Sequence, residues 1–358
     1  MRQRIFPPVF IGKFAVGIVV LFLTQFAAAQ FESDMRTPYP ADPRDTRFVS
    51  VKEDWTTPGL SSSSLKPAQP LVADISSNPE EYRVELVRLQ WRFGDPIDLY
   101  VLKPAGVKKP PPILYLYSYP SETSIFRNPA WQKVATKDGF AAVGFMTALT
   151  GHRYHDRGVN EWFVSELQEC LAVSAHDVQM VLNYLAERGD LDMDRVGVVG
   201  EGSGSSIAIL ASAVDSRIKV LDLLDPWGDW PTWMAKSPFI DEDERPNFLK
   251  PEYLKKIAPL EPVDWLPRIQ AKKFRLQDAT FHDETPASIH AKLRSVVPAG
   301  TTIVTYKTIK EYAAAVTDNK QMDWMYHELR ALPEPGTTTT VAAEAGSAKT
   351  QNTGSKNR

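Results

Sequence analysis

Val196-Gly197-Val198-Val199-Gly200-Glu201-Gly202-Ser203-Gly204 is the stretch on which the reading of this chain turns. Its first half is apolar and β-branched, as in a buried strand. Its second half sets glycines at 200, 202 and 204, and a helix-forming run at 205–213 follows. A strand that passes into a helix over so few residues has to bend sharply. Glycine permits that bend because it reaches positive φ and lets backbones approach closely.

Outward from this turn the chain alternates strand and helix patterns. Upstream, residues 82–92 (YRVELVRLQWR) and 97–103 (IDLYVLK) read as two strands able to pair antiparallel. The run 112–119 (PILYLYSY) is continuously apolar, as a strand buried on both faces should be. A short helix is expected at 128–137 and a strand at 140–148 (FAAVGFMTA). A long helix follows at about 160–188. In it Phe163, Leu167, Leu171, Val178, Leu182 and Leu185 recur at helical spacing and line one face. Downstream come a strand at 217–224, a Trp- and Pro-rich stretch, a strand at 272–277, a helix at 285–296, a strand at 301–309 and a last helix at 319–331. This order predicts an α/β fold, a doubly wound, mostly parallel sheet, with ligands at the carboxyl ends of its strands.

Composition agrees with a globular domain and removes other classes. The chain has 358 residues, 43% hydrophobic and 24% charged, with a formal net charge of −3. That near-balance leaves no electrostatic footprint for nucleic acid. The single cysteine, Cys170, excludes an intramolecular disulfide framework and reads as a small buried hydrophobe.

The two ends differ from the middle. Residues 1–29 read as a secretory signal. Arg2, Arg4 and Lys13 form the positive front, an apolar run spans 14–23, and Ala27-Ala28-Ala29 fits a cleavage site before Gln30. The run falls short of the roughly 20 apolar residues of a membrane span. The expectation is export, periplasmic or extracellular, with no stable membrane span after cleavage; retention as an anchor is the other reading. Residues 30–80, dense in proline and serine, are expected to be an irregular extension. The folded domain is placed at 81–333, and residues 334–358 are expected to be disordered.

The glycine turn resembles the nucleophile elbow of the α/β-hydrolases, G-x-Ser-x-G. The resemblance extends over about residues 82–331 in element order. It takes in the lead-in Leu191-Asp192-Met193-Asp194-Arg195 and the stretch Asp283-Glu284-Thr285-Pro286, and is strongest toward esterase, dienelactone-hydrolase and prolyl-oligopeptidase-like members. It implies hydrolysis of carboxylic ester or peptide bonds by a serine, a histidine and an acid, with no cofactor.

The reactive residues depart from that pattern. The elbow needs small residues two before and two after its apex. Only Gly202 at the apex satisfies this, flanked by Gly200 and Gly204; Ser203 would be flanked by Glu201 and Ser205. Glycine therefore stands at the nucleophile position. The family's histidine follows the last strand, and residues 307–316 contain none. The oxyanion loop reads Tyr117-Ser118-Tyr119-Pro120, leaving the backbone N–H groups of Ser118 and Ser203 as candidate donors. Asp283 matches the acid, and Asp225 is an alternative acid position.

Around the predicted site the strand ends carry Tyr117, Tyr119, His152, His155, Asp225, Trp227, Trp230 and His282. Trp227, Trp230 and Trp233 fit either core or an aromatic platform for a ligand. The expectation is thus a non-catalytic protein that binds a small molecule, a peptide or a partner. The alternative is a secreted serine hydrolase using Ser203 in an unusual register, with His155 or His282 as base. A metal held by His152, His155, Asp156, His282 and Asp283 matches no standard spacing, and none is assigned. A dinucleotide reading of Gly200-x-Gly202-x-Gly204 fails because the third glycine comes one residue early. Nothing in the sequence sets an oligomeric state.

Overall fold

The sheet is built from segments whose side chains have nowhere polar to go. Every residue of Pro112–Leu116 and of Ala141–Phe145 is buried, so both strands lie in the interior with helices on either face. The computed structural model describes residues 53–60, 70–76, 78–92, 95–118, 123–150, 159–281 and 284–333. Among the described residues nine strands form one sheet: β1 Leu71–Asp74, β2 Tyr82–Leu89, β3 Ile97–Pro104, β4 Pro112–Leu116, β5 Ala141–Phe145, β6 Val196–Glu201, β7 Ile218–Leu224, β8 Lys273–Ala279 and β9 Thr302–Tyr306. Their order is β1-β2-β3-β5-β4-β6-β7-β8-β9. The pairs β1–β2, β2–β3 and β3–β5 are antiparallel, and the rest are parallel. The expected doubly wound α/β architecture is therefore present.

Among the described residues, helices that cover the sheet or flank its ends include α1 Pro129–Thr136, α2 Val159–Arg188, α3 Ser203–Val214, α4 Trp230–Lys236, α5 Ala287–Val296, α6 Ile309–Val316 and α7 Asp323–Ala331. Short helical turns occupy much of 245–268. One core, with Leu171 of α2, Ile207 of α3 and Ile289 of α5, fills one face of the sheet. A smaller core, with Ala135 of α1 and Met325 and Leu329 of α7, fills the other.

Three details differ from the sequence reading. First, the segment 30–80 is not irregular throughout, because Leu71–Asp74 pairs with β2 in register. All four of its residues are exposed, so no burial pattern could betray the strand; backbone hydrogen bonds to β2 define it. Second, α2 is buried on more than one face, with His176 and Asp177 fully enclosed. Residues 53–60 account for this. Glu53 pairs with His176 and Arg92, the Thr57 carbonyl accepts from His176 Nε2 at 2.9 Å, and Leu60 N–H donates to Gln179 at 3.0 Å. Third, the strand expected to reach 309 ends at Tyr306, and α6 begins at Ile309, capped by Thr308, whose hydroxyl accepts from Glu311 N–H. Cys170 is buried. Among the described residues no helix is long and apolar enough to cross a membrane. The expected signal and the expected disordered tail lie outside the described residues.

Candidate functional site

The β6–α3 turn sits at the carboxyl edge of the parallel strands, and its geometry follows from three glycines. Gly202 has φ 50° and ψ −115°, a conformation that penalises any side chain. Its N–H donates to the Leu224 carbonyl at 2.9 Å, which holds the bend against β7. The flanking glycines are required by close approach. A Cβ at Gly204 would lie 2.0 Å from the Leu116 carbonyl oxygen, and one at Gly200 would lie 2.6 Å from Ser205 Cα. The register with Gly202 at the apex is thus the one the backbone adopts. Helix α3 starts at Ser203, two residues earlier than the sequence suggested, because the turn is completed within the apex itself.

Ser118 occupies the space above that apex. A Cβ built on Gly202 would fall 2.2 Å from Ser118 Oγ and 2.8 Å from Ser118 Cβ. Ser118 Oγ also accepts the Ser203 N–H at 3.3 Å. The two residues expected to offer backbone donors thus face each other, with the Ser118 hydroxyl lying on the Ser203 donor. Ser203 is fully buried. Trp227 closes the other side, its Nε1 3.2 Å from the same Cβ position.

The tryptophans resolve toward core. Trp227, Trp230 and Trp233 are 0%, 1% and 0% exposed, and the Trp227 and Trp233 ring centroids lie 4.6 Å apart. Neither Trp227 nor Trp230 presents a ring face to a ligand, so their expected place in an open pocket is corrected. The reason is the turn at Gly228-Asp229. There Glu261 accepts the backbone N–H groups of Asp229 and Trp230 at 2.6 and 2.8 Å and folds α4 inward.

The acid positions are held by a buried network. Asp225, at the end of β7 with φ 46°, accepts the Ala279 N–H at 2.6 Å. Asp278 lies 3.0 Å from His290 Nδ1, and His290 Nε2 donates to the Thr285 carbonyl at 3.0 Å. Arg294 takes the second Asp278 oxygen at 2.5 Å. Asp225, Asp278 and His290 bring one potential metal ligand each within 4.8 Å of one another. These contacts tie the turn after β8 to α5. His290 is thus a buried histidine held between Asp278 and the Thr285 carbonyl. His327, in α7, is exposed. Asp283, His282, His152, His155 and Tyr119 lie outside the described residues.

After β9, Tyr312 of α6 reaches the site, together with Asn319, Gln321 and Met322. Tyr312 packs against Tyr306 and Phe281, with centroids 5.5 and 5.8 Å away. It lines a cavity of about 80 Å³ together with Tyr117, Trp131 and Glu201. Burial first, and the Glu201 carboxylate second, push the phenols of Tyr117 and Tyr312 well above their usual range. Below the cavity Asp222 receives both Arg275 (2.8 and 2.5 Å) and Gln277 (2.8 Å). Burial nevertheless raises the Asp222 carboxyl above its ordinary value. Sequence reasoning placed Tyr117 here but missed Glu201, Trp131 and Tyr312. The one available signal was that Tyr312 falls in the window searched for a histidine.

No family model and no curated protein matches the sequence. Solved structures do. The acetyl xylan esterase of Paenibacillus sp. R4 superposes with a TM-score of 0.56 at 18% identity, over 74% of this chain and 90% of that one. Acetyl xylan esterase 1 of Thermoanaerobacterium sp. JW/SL YS485 gives 0.56 at 15% identity, over 74% and 89%. The 2,6-dihydroxy-pseudo-oxynicotine hydrolase gives 0.51 at 18%, over 73% and 68%. The strand order, the sharp strand-to-helix turn at Gly202 and these neighbours agree on one architecture: the chain has the α/β-hydrolase fold.

Proposed function

We propose that this chain is an exported α/β-hydrolase-fold protein without serine-hydrolase chemistry, and that it binds a small molecule or a peptide at the carboxyl edge of its sheet. The observation that carries this reading is the occupied apex. Gly202 has no side-chain atom to attack a carbonyl, and the volume its side chain would need holds Ser118. The Ser118 hydroxyl also accepts from the Ser203 N–H, the backbone donor that follows the elbow apex and would otherwise face a developing oxyanion. From beyond the last strand the titratable residue in the described lining is Tyr312, whose phenol burial keeps neutral, so that it cannot serve as a general base near neutral pH.

The elbow frame itself is intact, with both close-approach glycines in place. A frame kept without its nucleophile is consistent with a site that still positions a ligand. The test is a panel of acetyl, longer acyl and aminoacyl esters and short peptides, run alongside labelling with a serine-directed fluorophosphonate. No turnover and no label are expected. Turnover abolished by the phosphonate, with Ser203 or Ser118 modified, would overturn the proposal.

A further inference from the structure

Residues 53–60 lie across the long helix α2 as a short strap whose two ends are held by different chemistry. Asp54, Trp55 and Thr56 are exposed, whereas Pro58 is buried and the Glu53 side chain is 13% exposed. Packing and a neutral hydrogen bond hold the trailing end. Leu60 packs against the larger core, Gly59 lies against Val214, and the Leu60 N–H donates to Gln179 at 3.0 Å. The leading end is held by charge. His176 of α2 is fully buried, with Nδ1 on a Glu53 carboxylate oxygen and Nε2 on the Thr57 carbonyl at 2.9 Å.

Both of these partners are acceptors. A backbone carbonyl can only accept, so Nε2 carries a hydrogen. An ionised carboxylate can only accept, so Nδ1 carries one as well, and the ring is an imidazolium. The other assignment puts the second proton on Glu53, and the surroundings of Glu53 oppose it. Arg92 donates to its other oxygen at 3.1 Å. Burial alone would raise the Glu53 carboxyl, but the hydrogen bond from His176 and the charge of Arg92 outweigh it and hold the carboxyl below its usual range. Arg92 is also shared with Asp95 and Asp177, each at 2.7 Å. One guanidinium divided among three carboxylates leaves a place for a second positive charge, and the buried His176 ring fills it. Glu169 of the same helix is coupled to Arg92 and Glu53, and Lys256 faces Glu169 from the turn at 251–257. Beside the trailing end Arg217 pairs with Asp215 and donates to the Gln179 carbonyl.

We propose that His176 and Glu53 form a proton-operated latch: the His176 imidazolium clamps the leading end of the strap onto α2, and loss of its Nδ1 proton releases that end. Without that proton a nitrogen lone pair faces a carboxylate in a buried place, two acceptors with no hydrogen between them. Rising pH therefore opens residues 53–57, while Pro58 and Leu60 keep the trailing end in place. A site that gives up one proton on opening shifts its closing equilibrium by up to about tenfold per pH unit. Glu53 sets the opposite limit in acid. Its contribution is full above its free value, near 4.5, and is lost as pH falls through the lower docked value.

The test is nuclear magnetic resonance of the full chain, with isotope label in the histidine rings and the backbone, followed from about pH 5 to about pH 9. The His176 ring is identified by its contacts with Glu53 and Thr57. Both of its nitrogens are expected to carry hydrogen at the acid end, and Nδ1 to lose it as pH rises. Over the same range the ring's contacts with residues 53 and 57 are expected to fade, the open-to-closed ratio rising by up to about tenfold per pH unit, while the signals of Leu60 hold. Glu53→Gln keeps the shape and lets an amide donate to a neutral Nδ1, so its strap is expected to stay closed throughout. Thermal melts report on the folding of this variant, and the ring signals of the parent decide the charge state without it. A ring with one hydrogen in a closed strap at the acid end would overturn the latch. So would a ring that loses its proton with the contacts unchanged, a strap closed or open over the whole range, or a folded Glu53→Gln chain that opens as the parent does.

Discussion

Gly202→Ser tests the reasoning where it is most exposed, because it restores the residue type that the elbow usually presents. The new Cβ would lie 2.2 Å from Ser118 Oγ, 2.8 Å from Ser118 Cβ and 3.2 Å from Trp227 Nε1. Two costs follow. A non-glycine residue at φ 50° and ψ −115° carries about 1–3 kcal/mol of backbone strain. Forcing atoms into an already filled interior adds roughly 1–3 kcal/mol. Loss of glycine's freedom in the unfolded chain returns about 0.4–1 kcal/mol. The balance is a destabilisation of about 3 kcal/mol, equivalent to a fall in melting temperature of roughly 5–10 °C for a domain of this size. Ser118→Gly in the same chain removes both clashing atoms and leaves the backbone strain, so the double variant should recover about half of the loss. The assays are thermal and urea unfolding of the four proteins in the cycle, together with ester turnover of each. Additive effects of the two substitutions, or a Gly202→Ser protein as stable as the parent, would show that Ser118 does not fill the apex. Ester turnover by Gly202→Ser alone would refute the view that the rest of the machinery is missing.

Other substitutions probe the frame around the turn. Gly204→Ala sets a Cβ 2.0 Å from the Leu116 carbonyl, a backbone atom that cannot rotate away, and should cost more than about 3 kcal/mol and reduce soluble yield. Gly200→Ala, at 2.6 Å from Ser205 Cα, should be milder, and the reverse ranking in urea unfolding would contradict the strand-to-helix geometry. Arg275→Leu leaves Asp222 buried without its cation and should destabilise by about 3–5 kcal/mol, with Arg275→Leu/Asp222→Leu more stable than the single variant; a less stable double variant would mean the pair itself drives stability. Asp190 is held well below the usual carboxylate range, chiefly by its hydrogen bond to Arg188 and further by Lys103, against the opposing pull of burial. Its contribution is present above its unfolded value, near 3.8, and is lost as pH falls through the lower folded value. The stability advantage of the parent over Asp190→Asn should therefore be full at neutral pH and shrink below about pH 4, in urea unfolding followed across pH. A pH-independent difference would remove the assignment.

Burial periodicity and backbone punctuation made much of this fold legible in one dimension. The run 112–119 read as an interior strand because it is continuously apolar, and Pro112–Leu116 is buried at every residue, as is Ala141–Phe145, which read simply as a strand. Leu71–Asp74 did not read as a strand because both its faces are exposed. Its identity rests on hydrogen bonds to a partner that sequence spacing does not name. Helix α2 read as amphipathic, yet its polar side is buried as well, because His176 and Gln179 are covered by residues more than a hundred positions away.

The sequence by itself determined the alternating α/β order, the glycine at the apex of the turn, and the lack of a histidine in residues 307–316, just after the last strand. These are local facts, carried by residues next to one another in the chain. Only the tertiary structure decided what fills the space above Gly202, which way the tryptophans face, and that Tyr117, Trp131, Glu201 and Tyr312 share one cavity. Those outcomes depend on which side chains from distant elements compete for the same volume. Packing at near-crystalline density settles that competition in three dimensions, and no window along the chain contains the competitors together.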